Sequence, residues 1–178
     1  MTTWDPGWSL DEPTMAIVLG LVSPTTRLVL EAGSGRSTVE IAKALAPHGG
    51  RVIALEEWEP YAEQTRAALQ ESSSDNATVH VTRLGPTQHG IWYRNLPKLE
   101  FRSVDLVVID GPRSDGLDER SASLFVLDPY LSPDCVVVID DAKRHGDNRA
   151  LQIWERIGWT VEHIDTERGC AILRGKPE

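Results

Sequence analysis

The sequence contains few cysteines and no long apolar run. Only Cys135 and Cys170 occur among the 178 residues, and each lies inside an apolar stretch, which favours buried free thiols over a disulfide or a cysteine-based metal site. No apolar run approaches the ~18 residues that a membrane span needs. The N-terminal residues MTTWDPGWSLDEP show neither a basic region nor a signal-like core. We therefore expect a soluble, cytoplasmic protein with no membrane partner.

Basic residues are outnumbered. The chain has 18 Lys and Arg residues against 27 Asp and Glu residues, which gives a formal net charge of −9 at pH 7. A protein that neutralises many phosphates relies on clustered lysine and arginine. The charge balance therefore argues against nucleic acid as a partner.

Seven apolar runs alternate mostly with helical patterns, which predicts an α/β fold with a mostly parallel sheet covered by helices on both faces. The last two runs are separated only by TERG, too short for a crossover helix, and should form an antiparallel hairpin. The whole chain, 1–178, is predicted to be one domain, with 1–26 as a covering segment and helix. We expect a helix over 118–130, capped by Asp118, and a loop with at most one helical turn over 84–102. The predicted strands are 28–30, 52–55, 78–82, 104–109, 136–139, 160–164 and 170–173.

Four of these strands lead into an acidic residue: Glu31, Glu56, Asp110 and Asp140. Parallel strands have their carboxyl ends at one edge of the sheet, where open α/β sheets bind ligands. A single acid at a strand end can be a solvated residue or a helix cap. The ordered set of four indicates a binding site at this edge.

The first strand leads through the glycine-rich turn AGSGRST into a helical pattern. Gly33 and Gly35 permit a tight turn that directs the N–H groups of a helix start toward a ligand. Thr38 stands where dinucleotide-binding proteins place a glycine or an alanine, which disfavours nicotinamide and flavin cofactors. Glu56 can accept hydrogen bonds from two ribose hydroxyls, and Glu31 suits a cation better than a pyrophosphate. These residues together predict a ligand with a ribose and a positive charge.

S-adenosylmethionine has both features, and the sequence resembles class I S-adenosylmethionine-dependent methyltransferases over nearly its whole length. It is most similar to small bacterial enzymes with IDGP and DD motifs, which are related to the catechol O-methyltransferase-like group. The resemblance implies a Rossmann-like methyltransferase fold with seven strands, the last of them antiparallel. The motifs that carry it are LEAGSGRST, VIALEEWEPYAE, VDLVVIDGP, VVVIDDAKR and GCAIL.

The resemblance also implies cofactor-binding roles for the matching residues. Asp110 would face the methionine amine or the reaction centre. Glu31, Gly33, Ser34, Gly35 and Ser37 would surround the methionine part, Glu56 would bind the ribose, and Glu57, Trp58, Gly85 and Pro86 would lie beside the adenine.

Asp110, Asp140 and Asp141 follow two strands that we expect to be neighbours. Three carboxylates suit Mg²⁺ or another divalent cation, which would orient and activate a substrate hydroxyl. The catechol-type relatives have Asp, Asp and Asn at the matching positions, so Asp141 departs from their pattern. The alternative is a metal-free site in which Asp141 pairs with Arg144 or Asp140 acts as a base.

The predicted activity is methyl transfer to a small-molecule acceptor, at a hydroxyl oxygen. Arg113 and Arg144 belong to a basic rim that suits a carboxylate or phosphate on the acceptor, with a solvated charged face as the alternative. Trp8 is expected to cover the site. An S-adenosylmethionine-binding protein without transferase activity and a nicotinamide-dependent oxidoreductase are the rival functions, and both a monomer and a homodimer stay open.

Overall fold

A seven-stranded sheet forms the centre of the computed structural model, which describes residues 4–5, 9–113 and 119–177. The order of strands in this sheet is β3-β2-β1-β6-β7-β9-β8, and β4 and β5 form a separate hairpin, where the strands are β1 (Leu28–Ala32), β2 (Arg51–Glu56), β3 (Ala77–Val81), β4 (Leu84–Thr87), β5 (Gly90–Tyr93), β6 (Val104–Ile109), β7 (Leu131–Asp140), β8 (Thr160–Ile164) and β9 (Cys170–Arg174).

The pairing of these strands confirms the predicted fold. Every neighbouring pair in the seven-stranded sheet is parallel except those of β9, which runs antiparallel to both β7 and β8. The short TERG connection therefore does join an antiparallel hairpin. Its register places Asp140 opposite Cys170, so the loop before β9 returns to the carboxyl edge of the sheet.

Apolar side chains pack on both faces of the sheet. Helices α1, α2 and α3 cover one face, while α4, α5 and the β4–β5 hairpin cover the other. Asp11 caps α1 by accepting a hydrogen bond from the N–H of Thr14 at 2.8 Å. None of the helices in the described part of the chain is long and apolar enough to cross a membrane. The helices are α1 (Glu12–Leu21), α2 (Arg36–Leu45), α3 (Glu59–Glu71), α4 (Ser123–Leu127) and α5 (His145–Arg156).

The stretch 84–102 is not the loop that the sequence predicts, because it contains the antiparallel β4–β5 hairpin. The hydroxyl of Thr87 closes its turn by accepting from the N–H of His89 and donating to the carbonyl of Gly90. Trp92 of β5 is fully buried beneath the hairpin. Pro86 made this strand difficult to predict from the sequence, because proline cannot donate a ladder hydrogen bond and is uncommon within strands.

The helix predicted over 118–130 is also shorter than expected. Asp118 lies outside the described residues, and α4 is flanked by 3₁₀ turns at Glu119–Ala122 and Asp128–Tyr130. Proline within the second turn cannot continue an α-helix. Strand β7 begins at Leu131 rather than at residue 136, because an irregularity in its register with β6 accommodates additional residues.

Candidate active site

A cavity of about 740 Å³ opens at the carboxyl edge of the sheet. The residues at the ends of β1 and β2 form one side, which we call the β1–β2 wall, and those after β6 and β7 form the β6–β7 wall. The β1–β2 wall contains Gly33, Ser34, Glu56, Glu57, Trp58 and Tyr61, and the β6–β7 wall contains Asp110, Gly111, Arg113, Asp141 and Arg144, together with Arg120 and Arg168 from other loops.

The glycine-rich turn lies where the two walls meet. Gly33 has a φ of 93°, and its N–H donates to the carbonyl of Leu55 at 2.9 Å. A Cβ added to Gly33 would lie only 3.0 Å from the backbone nitrogen of Gly111. Glycine is therefore required for both the conformation of the turn and its close approach to the loop after β6.

Glu31, just before this turn, is fully buried. The hydroxyl of Thr38 donates to Glu31 Oε2 at 2.5 Å and accepts from the N–H of Gly35 at 2.9 Å. Burial raises the pKa of Glu31 to about 8, although the hydroxyls of Ser37 and Thr38 oppose the shift. Thr38 thus connects the acid to the start of α2, at the position where a dinucleotide-binding turn has a small residue.

Glu56 organises the β1–β2 wall. Its Oε2 accepts hydrogen bonds from the N–H of Ser34 at 3.0 Å and from the hydroxyl of Ser34 at 2.9 Å. Its Oε1 accepts from the N–H of Trp58 at 2.9 Å. Burial raises the pKa of Glu56 above its ordinary value. A carboxylate has about four acceptor positions, so these three bonds leave room for a further donor from the cavity.

Aromatic rings border the outer part of this wall. The indole of Trp58 is 52% exposed and stacks on the ring of Tyr61 with the centroids 6.3 Å apart. Trp4 contacts the same tyrosine edge-on. Glu57, the next cavity residue, accepts from the hydroxyl of Tyr93 at 2.9 Å. A flat ligand group can therefore pack against an indole whose position is supported by a second ring.

Three carboxylates meet at the ends of β6 and β7, as predicted from the sequence. Asp110, Asp140 and Asp141 each have an oxygen within 4.8 Å of the others. Asp110 follows β6, and Asp140 ends β7 with no exposed surface. Asp141 follows with a φ of 61°, which turns the chain sharply after β7.

Three arginines are paired with these carboxylates. Arg168 Nη2 lies 2.9 Å from Asp140 Oδ2, and Arg144 Nη1 lies 2.8 Å from Asp141 Oδ2. Arg120 Nη1 lies 3.6 Å from a carboxylate oxygen of Asp141 and at the same distance from one of Asp147. Asp140 and Asp141 are thus already paired with guanidinium groups from three separate parts of the chain.

Arg120 is the most buried of the three, with only 2% of its side chain exposed. Besides its ion pairs, it donates to the carbonyls of Asp140 at 3.1 Å and Pro112 at 3.3 Å. It also donates to the carbonyl of Asp110. One side chain therefore joins the ends of β6 and β7 beneath the cavity.

Burial raises the pKa values of the acids around Arg120. The pKa of Asp110 rises to about 7, and the guanidinium of Arg120 opposes this shift. The pKa values of Asp140 and Asp147 both rise to about 6, again chiefly because of burial. Asp110 is the least buried member of the carboxylate cluster and faces the cavity, so it can exchange a proton near neutral pH.

Comparison with known proteins identifies the family. The family model described as a methyltransferase domain matches residues 30–142, a span from β1 to just beyond β7. The chain belongs to this methyltransferase family. No curated protein matches the sequence of this methyltransferase.

Solved structures share its fold. Cofactor-bound Rv0187 from MTB has a TM-score of 0.71 and 22% identity, over 96% of this chain and 82% of that one. The O-methyltransferase TomG of Streptomyces achromogenes, solved with S-adenosylmethionine, has a TM-score of 0.70 and 18% identity, over 96% and 82%. An O-methyltransferase of Bacillus cereus in complex with S-adenosylhomocysteine has a TM-score of 0.69 and 19% identity, over 95% and 84%. They confirm the Rossmann-like methyltransferase fold.

The structure brings most of the predicted site residues to the cavity. Glu31, Gly35, Ser37 and Asp140 are buried and do not line it. Gly85 and Pro86 lie in β4, opposite Trp92 and Ile91, and do not line it either. Trp8 lies outside the described residues. The predicted residues that do line the cavity are Gly33, Ser34, Glu56, Glu57, Trp58, Asp110, Arg113, Asp141 and Arg144.

Arg120, Arg168 and Tyr61 also line the cavity and were not predicted as site residues. Tyr61 belongs to a helical pattern in which it reads as a core residue. Arg120 lies in a segment with no recognisable motif. Arg168 lies in the TERG connection. The predicted hairpin could have placed it at the site, because the loop before the last strand has to return to the carboxyl edge of the sheet.

Proposed function

We propose that this methyltransferase transfers the methyl group of S-adenosylmethionine to a hydroxyl oxygen of a small-molecule acceptor. The observation that carries the proposal is that a glycine turn and the carboxylate of Glu56 share one cavity with a second wall rich in acids and arginines. The first wall suits a nucleoside with a cationic group, and the second suits a polar acceptor.

The β1–β2 wall matches the parts of S-adenosylmethionine. Glu56 is held by Ser34 and Trp58 and keeps acceptor capacity for one ribose hydroxyl. The exposed indole of Trp58 offers a surface for the adenine. Glu31, Gly33, Gly35 and Ser37 shape the turn around the methionine part. These arrangements support the predicted cofactor-binding set, with Gly85 and Pro86 placed outside it.

S-adenosylmethionine would supply a methyl group bonded to a sulfonium sulfur. Attack of the acceptor oxygen in line with the sulfur–carbon bond would release S-adenosylhomocysteine. Asp110 lies in the cavity wall beside the meeting point of the two walls. With a pKa raised to about 7 by burial, its carboxylate can accept the hydroxyl proton as the oxygen–carbon bond forms. Asp140 and Asp141 position the surrounding arginines. No step of this proposal uses Mg²⁺, because two of the three carboxylates that would bind it, those of Asp140 and Asp141, are already paired with guanidinium groups.

The acceptor proposed here carries an anionic group. In a chain with net charge −9, four arginines border one cavity: Arg113, Arg120, Arg144 and Arg168. The side chain of Arg144 is 47% exposed and that of Arg168 is 24% exposed, so both can reach a bound molecule. A guanidinium has five N–H donors, so one that is paired with an aspartate can also donate to a carboxylate or phosphate of the acceptor. A hydroxylated carboxylate or phosphate ester therefore fits the β6–β7 wall.

Two measurements test this function. Calorimetry with S-adenosylmethionine and with NAD, side by side, should show binding of the first only; a preference for NAD would refute the proposal. Transfer of radiolabelled methyl groups to a panel of hydroxylated acids and their neutral amide analogues should favour the acids. Cofactor binding without transfer to any acceptor would support the rival function, a non-catalytic S-adenosylmethionine-binding protein.

A further inference from the structure

We propose that arginine takes the place of a divalent cation in this methyltransferase. In this assignment Arg120, Arg144 and Arg168 form ion pairs with Asp140 and Asp141, beside Asp110, and the resulting guanidinium site does not bind Mg²⁺ or a related ion. This inference concerns the site of the proposed methyl transfer and rests on that function. Metal binding to the site can nevertheless be measured without any acceptor.

Arg120 lies buried at the base of the cluster. Its guanidinium contacts carboxylates of Asp141 and Asp147 at 3.6 Å and donates to three backbone carbonyls. A buried guanidinium keeps its charge and presents five N–H donors in a rigid plane. It therefore supplies positive charge between β6 and β7 and cannot move away without leaving several acceptors unpaired.

The carboxylate of Asp140 has no exposed surface and does not line the cavity. Oδ2 accepts from Arg168 at 2.9 Å, and Oδ1 accepts from Thr14 at 3.3 Å. Mg²⁺ requires ligands at about 2.1 Å in octahedral geometry and keeps several of its waters. Binding it here would break both hydrogen bonds and bring water into the packed end of β7.

The charges of the aspartates and arginines in the cluster nearly cancel. Four aspartates, Asp110, Asp140, Asp141 and Asp147, surround three arginines. With all groups ionised the cluster has only one excess negative charge. A divalent cation would therefore enter a cluster that is nearly neutral, next to three positive groups that repel it.

The departure from the family pattern at Asp141 is explained by the same contacts. A catechol-type relative has an uncharged Asn at this position, whereas Asp141 forms ion pairs with Arg144 at 2.8 Å, Arg168 at 3.5 Å and Arg120 at 3.6 Å. Three guanidinium groups around one residue favour a carboxylate over an amide, which has no charge to offset theirs. The additional acid and the arginines thus form one arrangement.

The test uses Mn²⁺ as the probe, with bound ion measured by electron paramagnetic resonance and by calorimetry. The wild-type protein, after treatment with a chelator, should show no saturable Mn²⁺ binding up to about 1 mM, with or without S-adenosylhomocysteine. Arg144→Gln and Arg168→Gln, which remove partly exposed guanidiniums from Asp140 and Asp141, should each bind Mn²⁺ saturably with a Kd of about 0.1 mM or less, at least about 10-fold below the limit set by the wild type. Arg66→Gln, at a half-buried arginine of α3 that is paired with Glu59, is the matched control and should show no saturable Mn²⁺ binding.

Saturable binding of one Mn²⁺ per chain by the wild type would overturn the proposal. So would Arg144→Gln and Arg168→Gln variants that fold, by circular dichroism, yet gain no affinity over the control. Calorimetry with S-adenosylhomocysteine on the same samples tests the proposed function separately. If the wild type does not bind S-adenosylhomocysteine but the Mn²⁺ results are as expected, the proposed function is refuted and the guanidinium site is still supported.

Discussion

Replacing Glu31 with glutamine should make the stability of this methyltransferase less dependent on pH. Glu31 is fully buried, and burial raises its pKa from 4.5 to about 8. Between these values the unfolded chain loses a proton that the folded chain keeps. Stability of the wild type therefore falls as pH rises through this range, because the unfolded state gains the favourable ionisation.

The size of the effect follows from linkage. A difference of one proton between the two states changes the free energy of unfolding by about 1.4 kcal/mol per pH unit. From pH 5 to pH 7 the difference at Glu31 is close to a whole proton, so its titration accounts for a loss of about 2.5 kcal/mol. Glutamine does not titrate, and its carbonyl oxygen can still accept the hydrogen bond from Thr38. The variant should therefore gain about 2.5 kcal/mol on the wild type over this interval.

Urea unfolding followed by tryptophan fluorescence at pH 5, 6 and 7 measures this difference. Asp110, Asp140 and Asp147 titrate in both proteins, so most of their effect cancels when the two curves are subtracted. Glu63→Gln, the same substitution at an exposed residue of α3, controls for the loss of one negative charge. A difference between Glu31→Gln and the wild type that is equal at pH 5 and pH 7 would refute the reasoning, since Glu31 would then be ionised in the folded protein.

Three further results are expected. Glu56→Ala should weaken S-adenosylmethionine binding about 10- to 100-fold by calorimetry, because a ribose hydroxyl loses its charged acceptor; unchanged affinity would place the ribose elsewhere. Arg120→Met should lower the free energy of unfolding in urea by about 3 to 5 kcal/mol, because buried Asp141 and Asp147 lose a partner; a loss no larger than that of Arg66→Met would contradict this. With a known acceptor, the rate should fall about 10-fold per pH unit below pH 7, because Asp110, with its pKa of about 7, must be ionised to accept a proton; a flat profile would exclude it as the base.

Strong periodic patterns made most of the fold predictable. The apolar runs around 28–30 and 104–109 are buried on both faces of the sheet, and such runs read as parallel strands without help from their neighbours. The β4–β5 hairpin could not be recognised this way, because its first strand contains Gly85 and Pro86, both unfavourable in strands. Burial of Trp92 beneath the hairpin stabilises it, and that tertiary contact outweighs the local preference.

The candidate site was predictable to the extent that its residues follow parallel strands. Asp110 and Asp140 meet because β6 and β7 are neighbours with their carboxyl ends at one edge, and this inference needs only the end of each apolar run. Arg120 comes from a 3₁₀ turn without a motif, so no pattern in the sequence assigns it a position. Arg120 was therefore missing from the sequence-based site, in which a divalent ion was predicted from the three carboxylates alone.

Arg168 differs from Arg120, because topology alone determines where it lies. Strand β9 is antiparallel to β7 and pairs Cys170 with Asp140, so the residues just before β9 must lie at the edge where the acids collect. The backbone continues this pairing, with the N–H groups of Ala142 and Lys143 donating to the carbonyls of Gly169 and Arg168. Strand β7 ends in an acid, and β9 pairs with it in the antiparallel direction. Arg168, two residues before β9, therefore lies beside the carboxylate cluster. Wherever a related sequence has the DD pair but no arginine in this connection, we expect the cluster to be open to a divalent ion.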